Sequence, residues 1–173
     1  NVDFSKAISL THKAYYGVEY VLNDVNSTGI NQNIVAGTSQ AGPSRYPQAT
    51  WQSMGVFVNN QYLVTDKTSL QAGLRYNKYI LKADFDTTFY PFPFTEAHID
   101  NGSLTGSAGI VFRPTDKWVI GSNVATAFRS PNVDDVGKVF DSEPGSVVIP
   151  NPNLEAEYAY NVDLNVAKMF GKS

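Results

Sequence analysis

The stretch EAEYAYNVDLNVAK, residues 155–168, decides the fold. Tyr158, Tyr160, Val162, Leu164 and Val166 alternate without fault against Glu157, Ala159, Asn161, Asp163 and Asn165. Successive side chains on a strand point to opposite faces, so this is a strand with one apolar and one polar face. The same period runs back through the chain. In residues 117–129, Trp118, Ile120, Val124 and Phe128 share a face, and Lys117, Asn123 and Arg129 share the other with Gly121, Ala125 and Ala127.

Four more strands are expected upstream. His12, Ala14, Tyr16, Val18, Tyr20 and Leu22 mark the first, over 12–22, and Met54, Val56, Val58 and Tyr62 the second, over 51–64, with Phe57 and Asn60 out of phase. Leu70, Ala72, Leu74, Tyr76 and Ile80 follow a tight turn at 65–68, making a hairpin. Leu104, Ala108, Ile110 and Phe112 mark the next, which turns at Arg113-Pro114-Thr115-Asp116 into the Trp118 strand. Six strands result, with a possible edge strand near the N-terminus. The last residues, Met169 to Ser173, read as the start of another tight turn.

Two regularities separate a membrane barrel from a soluble β-fold. Connections alternate strictly: long over about 23–50, short over 65–69, long over 82–101, short over 113–117, long over 130–154. An up-and-down barrel in an outer membrane has this rhythm, with long loops on one side and tight turns on the other; a Greek-key sandwich has no reason for it. The less apolar face also carries Lys13, Glu19, Gln61, Gln71, Arg75, Asn77 and Asn161 among small residues. That suits a hydrated or plugged lumen with the apolar face toward lipid, and aromatic residues near strand ends suit an interfacial girdle.

Composition narrows the function. No run approaches the roughly 20 apolar residues of a membrane helix, a test that barrels escape because their apolar residues alternate. A net charge of -3 without a basic cluster argues against a nucleic-acid partner. Zero cysteine removes disulfides, thiolate catalysis and cysteine-held metal clusters. No nucleophile with an adjacent base, carboxylate pair or phosphate loop stands out, so neither catalysis nor an intrinsic metal or cofactor is expected. Asp24 to Gly29 resembles the start of a calcium loop, but its twelfth position is Val35, not glutamate, so a turn is the expectation.

The loop at 130–154 is bracketed by Phe128-Arg129-Ser130-Pro131 and by Asn151-Pro152-Asn153-Leu154, the latter followed by Glu155 and Glu157. These resemble the FRAP and NPNL boxes in the distal barrel of TonB-dependent outer-membrane receptors. The resemblance implies an all-β chain, a section of an antiparallel up-and-down transmembrane barrel in the bacterial outer membrane. Six strands cannot close such a barrel, and about 22 are expected of a plugged transporter, or roughly 630 residues at this density. Residues 1–173 are then part of one barrel domain, with plug, TonB box and signal peptide upstream. The implied function is energy-coupled uptake of an iron-siderophore, haem or cobalamin-like ligand. The implied partners are outer-membrane lipid, the TonB complex and a small metal chelate. A passive porin-like channel and a soluble β-sandwich adhesion module are the alternatives.

Candidate contact residues follow. The boxes either frame the loop, with prolines stopping ladder pairing and asparagines making turns, or let it fold over the lumen and touch ligand. Arg129 can pair with Glu155, Glu157 or plug carboxylates, or meet an anionic ligand. Haem receptors of this family usually carry a histidine between the boxes. None lies in 132–150 here, which holds Asp134, Asp135, Asp141 and Glu143 instead. His98 or Tyr90 remains a possible iron ligand. Phe89, Tyr90, Phe92 and Phe94, in a proline-locked run, offer ring faces to a flat chelate or pack on themselves.

Overall fold

A computed structural model describes residues 1–139, 141–143 and 146–171; the side chains of Asp141 and Glu143 and the last two residues of the expected C-terminal turn lie outside those described. In chain order the strands are β1 (Val2–Ala7), β2 (His12–Val25), β3 (Gly29–Asn33), β4 (Thr38–Gly42), β5 (Gln48–Thr65) and β6 (Thr68–Asp84). Then come β7 (Glu96–Phe112), β8 (Trp118–Arg129), helix α1 (Val133–Gly137), β9 (Asp141–Glu143), β10 (Ser146–Val147) and β11 (Glu157–Lys168). Seven strands form one sheet in the order β1-β2-β5-β6-β7-β8-β11, each pair antiparallel. The six expected strands are all present, and β1 is the N-terminal edge. Among the described residues β1 and β11 have no partner on their outer sides, and the sheet is open.

Because sheet neighbours are also chain neighbours, connections fall alternately at two ends. Residues 8–11, 66–67 and 113–117 turn at one end; residues 26–47, 85–95 and 130–156 loop at the other. The expected rhythm holds, and the first long loop carries the β3–β4 hairpin.

The strands run further into the loop end than their alternation suggested. The loop expected at 82–101 is only 85–95, and His98, expected in it, lies within β7 opposite Lys82. The cause is an inversion of the two faces. From Leu70 to Tyr76 the large apolar residues of β6 point outward and are exposed, whereas Leu81, Ala83 and the following Phe85 are buried on the inner side. A single alternation phase carried past Tyr76 still meets Ile80 but loses the strand at Lys82.

Nine residues, Thr68 to Tyr76, carry the outward apolar phase on β6, about the 9–11 residues that a tilted strand needs to cross hydrocarbon. The belt continues across the sheet as Tyr16, Val18, Val56, Val58, Leu104, Ile110, Ile120 and Val124, all exposed. On its inner side asparagines face glycines across strand pairs: Asn59 opposite Gly73, Asn77 opposite Gly55, Asn123 opposite Gly109, Asn165 opposite Gly121. The missing side chain at Gly55 is filled by its neighbours. A Cβ there would come within 2.5 Å of the Arg75 guanidinium and 2.8 Å of Asn77 Oδ1. Arg75 Nε donates to that Oδ1 at 2.8 Å and Nη2 to Glu19 at 3.2 Å, lining the inner wall with a paired charge.

Candidate functional site at the loop end

Beyond the belt the inner face becomes a core. Ala49, Leu81, Ala83, Phe85, Ala97 and Ile99 are buried there, and Val133 and Val136 of α1 close over them from the inner side. Val136 is fully buried. Outward positions of β6 and β7 at the same level, Ile80 apart, are charged or polar: Lys78 pairs with Asp100, and Lys82, Asp84, Glu96 and His98 are open to solvent or half so.

The loop at 130–156 reaches this position because β8 leaves β7. Their ladder stops at Ser107 and Ala125. The next partner of the Gly106 amide is the Thr126 side-chain oxygen, at 2.8 Å, in place of a backbone carbonyl. A hydroxyl that replaces the backbone acceptor ends the ladder, and β8 continues paired with β11 alone, up to Arg129 opposite Glu157. This corrects one expectation. Strand alternation aims Phe128 outward, but its ring lies 5.2 Å from Tyr79 and 5.1 Å from Tyr158, in a row that Trp51 extends at 5.8 Å from Tyr79.

Past Phe128 the first box becomes a helix start. Pro131 is buried, Asn132 caps α1 by accepting from the Asp135 amide at 3.0 Å, and Asp135 accepts from the Asn132 amide at 3.0 Å. This reciprocal pair satisfies donors that a helix end otherwise leaves open. Arg129 Nη2 donates to both Asp135 oxygens, at 2.7 and 2.8 Å, and Nη1 to Glu157 at 3.4 Å. Asp135, then Glu157, raise its pKa further above the ordinary arginine value. Arg129 thus joins the two ends of the loop.

The second box is simpler. Asn151 accepts from the Asn153 amide at 3.0 Å, making a turn, and Leu154 packs against the core. Arg129, Pro131, Asp135, Leu154, Glu155 and Glu157 line a pocket of about 210 Å³ between the boxes. Ser130 Oγ is buried without a hydrogen-bond partner among the described residues.

Loop 26–47 holds α1 from the other side. The Tyr46 hydroxyl donates to Asp134 at 2.9 Å, and the Val139 amide donates to the Arg45 carbonyl at 2.8 Å. The Tyr46 bond, more than Lys138 four residues along, holds the Asp134 carboxyl below its ordinary pKa. Gly137 packs on Pro47 so closely that a Cβ would fall 2.5 Å from its Cγ. The segment read as a weak calcium loop serves this docking: Ser27 accepts from the Tyr46 amide at 3.3 Å and from the Gln48 side chain at 2.7 Å.

The aromatic run folds onto the same core. Phe92 and Phe94 stack at 5.7 Å, and both meet Phe85 edge-on, at 6.2 and 5.1 Å. Tyr90 touches Phe92 at 5.9 Å, and Phe89 is 39% exposed at the surface. The structure therefore brings the boxes, α1 and the aromatic run to one inner core, and leaves His98 on the outward face, away from them. Among the described residues no group of three His, Asp or Glu is placed to hold a metal. Trp51, Tyr79, Leu81, Phe85 and Tyr46 escaped the sequence reading as parts of this site. For Tyr79, Leu81 and Phe85 the signal was present: after Tyr76 the apolar positions of β6, Ile80 apart, move from even to odd numbers.

Comparison with known proteins agrees with this geometry. The family described as TonB dependent receptor-like, beta-barrel matches residues 1–172. The structure of the copper transporter OprC aligns with a TM-score of 0.73 at 16% identity, over 90% of this chain and 24% of that one. A double mutant of the Serratia marcescens hemophore receptor HasR, in complex with its hemophore HasA and heme, also gives 0.73 at 16% identity, over 95% and 28%. The chain spans about a quarter of the length of either. No curated protein matches significantly. At this identity the two structures speak for the fold, whereas the family match runs nearly end to end, and the chain belongs to the family of TonB-dependent receptor β-barrels, which are proteins of the outer membrane.

Proposed function

We propose that this chain is a section of barrel wall, with one inward-folded loop, in an outer-membrane receptor for energy-coupled uptake of a small metal chelate. The observation that carries the reading is the inversion of faces on β6. Apolar Leu70 to Tyr76 point out where lipid would lie, and apolar Leu81 to Phe85 point in where α1 covers them. A wall so built stands in the bilayer by its lower part and offers a rigid, loop-covered rim above it.

The rim narrows the lumen and positions ligand; it binds and admits, with no catalytic step. Phe89 and Tyr90, at the surface of the aromatic cluster, are the ring faces for a flat chelate, and Arg129 holds the loop shut at its base. Ligands of the iron-siderophore, haem or cobalamin type fit this role. OprC is a copper transporter and HasR was solved with heme, which supports a metal-bearing cargo. The outward position of His98 weighs against its serving as an axial iron ligand. Coupling to the TonB complex would act through a plug elsewhere in the parent protein.

The test uses the parent receptor in its outer membrane, with and without a working TonB complex. Uptake of a ferric siderophore, haem, cobalamin and copper is measured. One cargo should enter only with TonB, and removal of residues 132–150 should abolish its binding or entry. Entry that ignores TonB would make the chain part of a passive channel instead.

A further inference from the structure

Charge separates along the barrel axis in a way that the net value conceals. At the turn end lie Lys6, Lys67, Arg113, Lys117 and Lys168, all exposed, against Asp66 and Asp116. At the loop end the acids prevail, as at Asp84, Asp86, Glu96, Asp134 and Glu155. The cations are not scattered. Lys67 Nζ donates to the Pro114 carbonyl at 3.0 Å, the Arg113 amide to the Lys67 carbonyl at 2.8 Å, and the Met169 amide to the Lys117 carbonyl at 2.8 Å. These bonds hold the β5–β6 turn, the β7–β8 turn and the end of β11 side by side.

The cationic rim directly adjoins the apolar belt. Phe112, Trp118 and Ile120 are the outward apolar residues of β7 and β8 next to this rim, and the Lys168 ammonium stands 4.8 Å from the Trp118 ring and 5.1 Å from Phe170. A ring at the edge of hydrocarbon with an ammonium beside it is how amphipathic side chains settle at a bilayer interface. The groups that meet such a rim in a membrane are phosphates of lipid headgroups, and anionic phospholipid meets it with its net charge as well.

We infer that the turn end is a docking surface for anionic phospholipid, seated by Lys67, Arg113, Lys117 and Lys168 with Trp118 in the interface. The inference rests on the membrane-barrel reading above. It adds a lipid selectivity confined to one leaflet, because the loop end presents the opposite charge.

The parent receptor is reconstituted in vesicles of equal parts phosphatidylcholine and phosphatidylglycerol, with bromine near the headgroup end of the acyl chains of one lipid or the other. Trp118 emission is taken as the difference between the wild type and Trp118→Phe. Brominated phosphatidylglycerol should quench about threefold more than brominated phosphatidylcholine. The preference should vanish in high salt and in the variant carrying Lys67→Gln, Arg113→Gln, Lys117→Gln and Lys168→Gln. The salt titration needs only the wild type and Trp118→Phe, so it decides even if the fourfold variant fails to fold. Equal quenching by both lipids at low salt overturns the proposal alone. Quenching by neither overturns it together with the barrel reading.

Discussion

Within β6, Leu74 and Leu81 are seven residues apart and live in opposite worlds. Leu74 faces outward at 56% exposure, whereas Leu81 faces inward at 1%. Both are leucines on one regular strand. What differs is the medium outside the wall: lipid for the first, water for the second. Along the belt the sheet turns its apolar side out and pairs Arg75 with Glu19 inside. At the loop end it builds a core of ordinary soluble type, with α1 as the covering layer. A strand long enough to pass from one medium to the other must change face, and Tyr76 to Leu81 is where this chain does so.

The strongest way to break this comparison is a charge at Leu81. Leu81→Asp should cost about 3–5 kcal/mol, because the carboxylate would be buried without a partner. Guanidinium unfolding of the parent receptor in vesicles reads the loss, and a cost below about 1 kcal/mol would mean that the loop-end core contributes little. Next comes a lysine walked along the outward side of β6. Leu74→Lys should cost about 2–4 kcal/mol at the middle of the belt, and Ile80→Lys, beyond it, about 0–1 kcal/mol. A flat profile would remove the membrane boundary from this strand.

A smaller effect is expected at the inner wall. Gly55→Ala places a methyl against the Arg75 guanidinium, which can shift, so about 1–3 kcal/mol is expected. Breakage of the Arg75–Glu19 pair should be visible in a crystal structure of the variant. Unchanged stability with the pair intact would show that the wall has slack. The smallest effect concerns Asp134. Its folded pKa lies below the unfolded value, so its contribution is present above the unfolded pKa and is lost as pH falls through the folded one. Tyr46→Phe should return that pKa toward the usual carboxylate range, as followed by carboxyl NMR. An unmoved titration would assign the shift to Lys138 instead.

Much of this was legible in the order of residues. Tyr158 to Val166 alternate because one face of β11 is apolar throughout, and the lengths of the connections were enough to place loops and turns at opposite ends. The boxes at Phe128 and Asn151 marked the inward loop. The ends of β6 and β7 were not legible as strand, since Lys82 to Asp84 and Glu96 to Asn101 place their apolar residues in the opposite phase, and a change of phase looks like a loop. Arg129 was foreseen with Glu157, but Asp135 as its closer partner depended on the Asn132 cap.

The sequence by itself thus determined strand identity, order and the apolar belt, because period two is a local property that each strand carries alone. Only the tertiary structure decided that Phe128 turns toward Tyr79, that α1 closes over Leu81, and that Tyr46 reaches Asp134. Those contacts depend on where the β7–β8 ladder stops and on three loops meeting at one end, and neither is written in the pattern of any single segment.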